Sequence, residues 1–117
     1  MKIHKIAVTI GVIIAALGLV GLVGGEGRML SEINIDLPLD LIRIVLGAFL
    51  IYGGIKSPEL SRTSLTIFGV AYLLIFVLGI ISYTLFGLLP TGLGWIDQGL
   101  HIIGGAIALY FSRRTST

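Results

Sequence analysis

The chain has 117 residues, of which 56% are hydrophobic and only 12% are charged, and a further 17 are glycine. A soluble 12.5 kDa protein cannot bury that much apolar surface in one core, so the composition excludes a soluble enzyme and a nucleic-acid-binding protein. The absence of cysteine excludes a disulfide framework, a thiol nucleophile and a thiolate metal site.

Four apolar segments approach the length of about 20 residues that a membrane-spanning helix needs. In chain order, the predicted spans are 6–25, 38–55, 65–85 and 96–111. Lys5 and Glu26 flank the first span, and Lys56 ends the second. We therefore predict an all-α membrane protein, a four-helix transmembrane bundle that occupies residues 1–117 as one transmembrane domain.

The third span ends inside a charge-free stretch that is too long for one helix, since no charge falls between Arg62 and Asp97. Four turn-forming residues divide this stretch: Gly87, Pro90, Gly92 and Gly94. The fourth span is short because Ser112 and the two arginines after it stop the apolar run. We expect its first turn to lie near a membrane interface.

The positive charges predict the orientation of the spans. Six of the eight Lys and Arg residues flank the spans on one side: Lys2, Lys5, Lys56, Arg62, Arg113 and Arg114. Arg28 alone lies in a loop on the other side. The positive-inside rule then puts both termini in the cytoplasm, as in a multi-pass protein of the cell (inner) membrane whose partners include membrane lipids and no nucleic acid.

The chain also shows signs of an internal repeat. A shift of 58 residues, without gaps, aligns Gly11 with Gly69, Val12 with Val70, Gly21 with Gly79, Ile44 with Ile102, Gly47 with Gly105, Ala48 with Ala106 and Tyr52 with Tyr110. We interpret residues 1–58 and 59–117 as two repeated helical hairpins. The alternative is chance similarity between two apolar sequences of membrane composition. In the repeat, Arg43 and His101 are equivalent positions.

Ionisable side chains inside the predicted spans point to a polar cluster. Asp36, Asp40 and Arg43 share one face of the second span, and Asp97 and His101 share one face of the fourth. Such residues are costly in a membrane and are retained mainly where they face protein or water. We expect a network near the outer side in which Arg43 bridges an aspartate and His101 pairs with Asp97. Tyr72 on the third span is a further candidate for a polar interior.

Several interpretations of this cluster compete. A hydrogen-bonded and salt-bridged network that fixes helix register accounts for all five residues. A ligand, ion or proton site open to the outer face is the alternative, since a histidine beside carboxylates can change protonation near neutral pH. A metal site of Asp40, Asp97 and His101 is disfavoured because Arg43 would repel the cation. A triad of Ser82, His101 and Asp97 lacks a Gly-x-Ser-x-Gly elbow.

The fourth span carries a family resemblance. Leu89-Pro90 and Asp97-Gln98-Gly99-Leu100-His101, followed by Gly105, resemble a bacterial family of small four-helix integral membrane proteins known only as a domain of unknown function. Its members carry Pro and Asp-Asn-x-Leu-His before the last span. The stretch from Arg62 to Gly79, with Gly69 and Tyr72, also resembles the family's third span.

The second span departs from the pattern of that family. Its members carry Asn-x-x-His there, whereas this chain has Asp40 and Arg43. This difference argues against a paired-histidine site and favours a salt bridge. The resemblance implies a four-helix architecture and no particular chemistry.

These observations predict a non-enzymatic membrane protein with a structural or accessory role, without a cofactor, a metal or catalytic residues. The alternative is an oligomeric protein that transports or senses a small ligand, an ion or a proton through an outward-facing polar site. Four short helices cannot enclose a pore alone, so transport would require a homo-oligomer. Another membrane protein is the other partner that we expect.

Overall fold

The computed structural model describes residues 2–24, 28–29, 33–89 and 92–114. Their elements are helix α1 (Ile3–Gly24), strands β1 (Arg28–Met29) and β2 (Ile33–Asn34), and helices α2 (Leu37–Lys56), α3 (Pro58–Ile81) and α4 (Trp95–Arg114). The predicted helical fold with four helices is confirmed. The antiparallel pair of two-residue strands is an addition that the sequence analysis did not anticipate. Gly25, Glu26, Glu32 and Pro90 lie outside the described residues.

Among the described residues, three helices are long and apolar enough to cross a membrane: α1, α2 and α3. This agrees with a membrane protein. Helix α4 has 20 residues but is less apolar. Polar residues occupy its first two turns, and two arginines end it.

Helix α3 begins and ends earlier than the predicted span 65–85. The Ser57 side chain accepts a hydrogen bond from the Leu60 backbone N–H at 3.0 Å, and Pro58 occupies the first helical turn, so the helix begins before Arg62. At the other end Leu85 and Phe86 have φ values of 49° and 60°, which no α-helix accommodates. The turn that the sequence predicts therefore follows Ile81, and residues 82–85 are not helical.

Each hairpin is held by close backbone approach at glycine. A Cβ on Gly11 would lie 2.7 Å from the Gly47 carbonyl oxygen, and one on Gly69 would lie 2.9 Å from that of Gly105. These contacts run antiparallel, α1 against α2 and α3 against α4. Small residues at helix crossings are the usual means by which membrane helices associate, because lipid supplies no hydrophobic drive between them.

The bundle is apolar both inside and outside. Its interior holds large buried side chains that include Leu39, Leu50, Leu65 and Phe68. Its surface exposes equally apolar side chains, for example Val23 (90% exposed) and Ile55 (77%). Helices that are apolar on all sides are typical of a lipid environment.

We predict that Gly47→Val destabilises the protein by about 1–3 kcal/mol, because the added side chain would overlap Ala15 and the Gly11 carbonyl on α1. The matched control is Ala48→Val, on the exposed side of the same helix, which should cost about 0.5 kcal/mol or less. Unfolding by SDS in mixed micelles, followed by the fluorescence of the single tryptophan Trp95, measures both. Equal costs would contradict the tight crossing.

Candidate functional site

The end of the bundle where α2 and α4 begin, which the predicted orientation makes the outer end, is organised around Asn34, at the end of β2. Its side-chain Nδ2 donates to the Gly92 carbonyl oxygen at 2.6 Å and to Asp36 Oδ2 at 3.3 Å. Its Oδ1 accepts from the Asp36 backbone N–H at 2.8 Å, which is an Asx turn at the start of α2. Asn34 is fully buried, so these bonds replace those that it would make with water.

Asp97 connects the same residue to α4. Its Oδ1 accepts from the Asn34 backbone N–H at 2.8 Å, across 63 positions of sequence. Its Oδ2 accepts from the Gly94 backbone N–H at 3.0 Å, as the third residue of a helix does in a capping box. A buried carboxylate in the first turn also interacts favourably with the helix dipole. Asp97 therefore caps α4 and fastens the first outer loop to it.

Arg43 joins this network from α2. Its Nη1 donates to the Asn34 carbonyl oxygen at 2.7 Å and lies 3.3 Å from Asp40 Oδ1. The predicted bridge between Arg43 and an aspartate is thus present, with Asp40. Asp97 and Arg43 are linked through the two peptide groups of Asn34. We call the five side chains of Asn34, Asp36, Asp40, Arg43 and Asp97 the outer latch.

His101 has different neighbours from those the sequence suggests. Its ring packs edge-on against Tyr72 with centroids 5.0 Å apart, and its Nδ1 lies 3.5 Å from Gln98 Oε1. The predicted pairing with Asp97 is not among its contacts with the described residues. The reason is that Asp97 turns towards its own helix terminus and the loop, while His101 faces α3. Four of the five predicted site residues therefore belong to the outer latch, and His101 lies at a second place.

That second place is a cavity of about 330 Å³ between α1 and α4. Arg43, Tyr72 and His101 form its polar floor, and its walls are apolar side chains of the two helices, among them Ile14 and Ile103. Helices α1 and α4 make few contacts with each other, and Ile103 is 60% exposed at the rim. The cavity therefore opens sideways, between these two helices.

Sequence reasoning missed Asn34 and Gln98. The signal for Asn34 was its position two residues before Asp36, the spacing of an Asx turn. The signal for Gln98 was the predicted repeat, in which it is the equivalent of Asp40. Gln98 Nε2 donates to the Phe76 carbonyl oxygen at 2.9 Å and so ties α4 to α3.

The two disfavoured chemical sites find no support in the geometry. Within the described ranges, no three His, Cys, Asp or Glu side chains are grouped as metal ligands. Ser82 accepts a hydrogen bond from the Phe86 backbone N–H at 3.1 Å and lies 3.4 Å from Thr84 Oγ1. Its hydroxyl is thus part of the turn after α3.

Comparisons with protein-family models, with curated proteins and with solved structures found no match, so the resemblance to the family of unknown function remains a prediction.

We predict that Gly92→Ala loosens the outer latch more than Gly87→Ala does. Both glycines have positive φ, +86° and +93°, so alanine costs about 1–2 kcal/mol at either. At Gly92 the methyl group would also overlap the Tyr83 ring and move the carbonyl that Asn34 binds, whereas the surroundings of Gly87 are open. We expect a further loss of about 1–3 kcal/mol at Gly92. SDS unfolding of the two variants compares them, and a Gly87→Ala variant as unstable as Gly92→Ala would contradict the prediction.

Proposed function

We propose that this chain is a four-span integral membrane protein without enzymatic activity, in a structural or accessory role. Its two repeated hairpins are closed at the outer end by the latch. The observation that carries the proposal is the hydrogen bonding of Asn34. Its backbone and side chain together bind groups from α2, α4 and the loop before α4. A cluster whose polar groups form hydrogen bonds within the protein holds the helices and loops in position.

Equivalent contacts in the two hairpins support the repeat. The close pairs Gly11–Gly47 and Gly69–Gly105 are related by the same shift of 58 residues that aligns the sequence. The pairs Gly21–Asp40 and Gly79–Gln98 follow the same shift, each glycine lying directly against the polar side chain. Matching polar contacts favour duplication over chance similarity of apolar residues.

The arrangement of α4 supports its role as the fourth span. Asp97 and His101, which lower its mean hydropathy, are almost completely buried inside the protein. Its exposed large hydrophobic residues are Trp95, Leu100, Ile102, Ile103, Ile107 and Tyr110. The surface that would meet lipid is therefore apolar, although the helix as a whole is not.

The positive charges support cytoplasmic termini. The two chain segments at that end are also joined, because Arg62 Nη1 donates to the Ser112 carbonyl oxygen. Lys56, Arg113 and Arg114 are exposed nearby, where they suit anionic lipid headgroups of the inner leaflet. We propose these lipids as partners, with the cell (inner) membrane as the location.

A second candidate function is favoured by one observation, the lateral cavity with its polar floor. Such a protein would bind or sense a small ligand through Arg43 and His101 on the cavity floor. It would act as a homo-oligomer or with a membrane-protein partner. Its entrance would then lie between α1 and α4, in place of the outward-facing site that the sequence suggested.

We predict the topology from single-cysteine variants, which are clean probes because the chain has no cysteine. In right-side-out vesicles, a membrane-impermeant maleimide should label Leu88→Cys directly. It should label Lys56→Cys and Arg114→Cys only after permeabilisation. Direct labelling at Arg114 as well as Leu88 would show that α4 does not cross the membrane. Direct labelling at both Lys56 and Arg114, with Leu88 protected, would show the inverted orientation.

We predict energetic coupling within the outer latch. In a double-mutant cycle of Asn34→Ala and Asp36→Ala, the unfolding free energies should deviate from additivity by about 0.5–3 kcal/mol, since the two side chains share a buried hydrogen bond. The control cycle pairs Asn34→Ala with Ser64→Ala, at the opposite end of the bundle, and should be additive to within about 0.5 kcal/mol. Equal coupling in both cycles would remove the structural role of the latch.

A further inference from the structure

The floor of the lateral cavity holds two nitrogen atoms that make no hydrogen bond with another described residue. Arg43 is 2% exposed, and its Nε–H has no hydrogen-bond partner among the described residues, although Nη1 is fully engaged in the latch. A buried donor without a partner is costly, and native structures retain few of them. Because Arg43 lines the cavity, an occupant of the cavity is the natural source of the missing acceptor.

The second nitrogen is His101 Nε2, and its neighbours fix its role. Gln98 donates through Nε2 to the Phe76 carbonyl oxygen, so its Oε1 is the atom that faces the imidazole. An amide oxygen only accepts, so the histidine donates from Nδ1, and Nε2 of the neutral ring is left as an acceptor. No described residue donates to it. The cavity floor thus presents an acceptor and a donor.

The charges around the floor select the ligand class. The Arg43 guanidinium would repel a cation. Asp40, which already pairs with Arg43, and the other two carboxylates of the latch would repel an anion. Either ion would also lose its hydration among apolar walls. A neutral group is favoured, and a hydroxyl is the smallest one that donates and accepts at once.

The shape of the cavity indicates what carries the hydroxyl. Its volume of about 330 Å³ is at the lower end of the range for ligand pockets, roughly 300–1,000 Å³. A second cavity, of about 520 Å³, continues between α1 and α4 towards the cytoplasmic end and shares Ile10 and Ile107 with the first. The continuous apolar groove suits one extended hydrocarbon chain that enters from the lipid.

We propose that this groove binds a neutral, lipid-soluble alcohol, whose hydroxyl donates to His101 Nε2 and accepts from Arg43 Nε, with the Tyr72 hydroxyl beside them. The apolar chain of the ligand lies between α1 and α4. A small shift of the guanidinium brings its covered Nε–H to the ligand oxygen. The inference rests on the four-span placement proposed above.

The test uses the full chain in lipid nanodiscs and a dodecanol that carries a diazirine, with the crosslinked residues mapped by mass spectrometry. We expect saturable labelling of α1 and α4 beside the cavity. Unlabelled dodecanol should compete at least tenfold better than dodecyl methyl ether, which cannot donate, and better than dodecane or dodecanoate. Equal competition by ether or dodecane would overturn the hydroxyl site, and stronger competition by dodecanoate would overturn the neutral ligand.

The variants separate the site from nonspecific partition into lipid. Ile14→Phe fills the cavity and should lower labelling at least tenfold, whereas Val12→Phe, on the same helix but outside the lining, should leave it unchanged. His101→Phe keeps an aromatic ring against Tyr72 and should abolish the preference for alcohol over ether. Unchanged labelling in Ile14→Phe, or an unchanged preference in His101→Phe, would overturn the proposal.

The test needs no Arg43 variant, which would also disturb the latch. The cysteine-labelling experiment reports separately whether α4 crosses the membrane. Correct topology with no saturable labelling would therefore reject the ligand and retain the four-span protein. Labelling that persists with a wrong topology would reject the placement on which the inference rests.

Discussion

The end of the bundle that carries the latch depends on the burial of one polar side chain. Asn34 lies between two loops that are far apart in sequence, and it is fully buried there. In such a position every donor and acceptor needs a partner, because each unpaired group costs about 1–3 kcal/mol. The partners come from Asp36, Gly92, Asp97 and Arg43, so the loops and both helix N-termini are positioned together.

The interior of the bundle follows a second constraint, which is packing without a hydrophobic drive. Glycine pairs bring α1 onto α2 and α3 onto α4 until backbone meets backbone. The same tight pairing within hairpins leaves α1 and α4 with few mutual contacts, and the groove lies between them. Close packing in one direction and a gap in another thus have one cause, the distribution of small residues along the helices.

The sequence predicts the four helices well because long apolar segments, separated by charged and turn-forming residues, mark them. It also predicts that Arg43 pairs with an aspartate, although it does not choose among Asp36, Asp40 and Asp97. The partner is Asp40, three residues away on the same helix. It places the end of the third helix too late, because nothing periodic in the sequence reports the left-handed backbone at Leu85. The partner of Asp97 is missed for a related reason. The Asp97 carboxylate caps its own helix and therefore does not pair with His101. The loop that carries Asn34 has no periodic sequence pattern from which its position could be predicted.

Arg43 connects the latch with the groove, and its chemistry makes that connection rigid. The guanidinium is a planar fork, so Nε and Nη1 move together. Nη1 binds the Asn34 carbonyl oxygen, while Nε belongs to the side chain that floors the cavity. An occupant that draws Nε towards itself therefore changes the bond at Asn34, which holds α4 and its loop. Because one guanidinium serves both places, binding in the groove and the strength of the latch are coupled, and each affects the other by the same free energy. A tighter latch would then favour one position of the guanidinium, and with it one state of the groove.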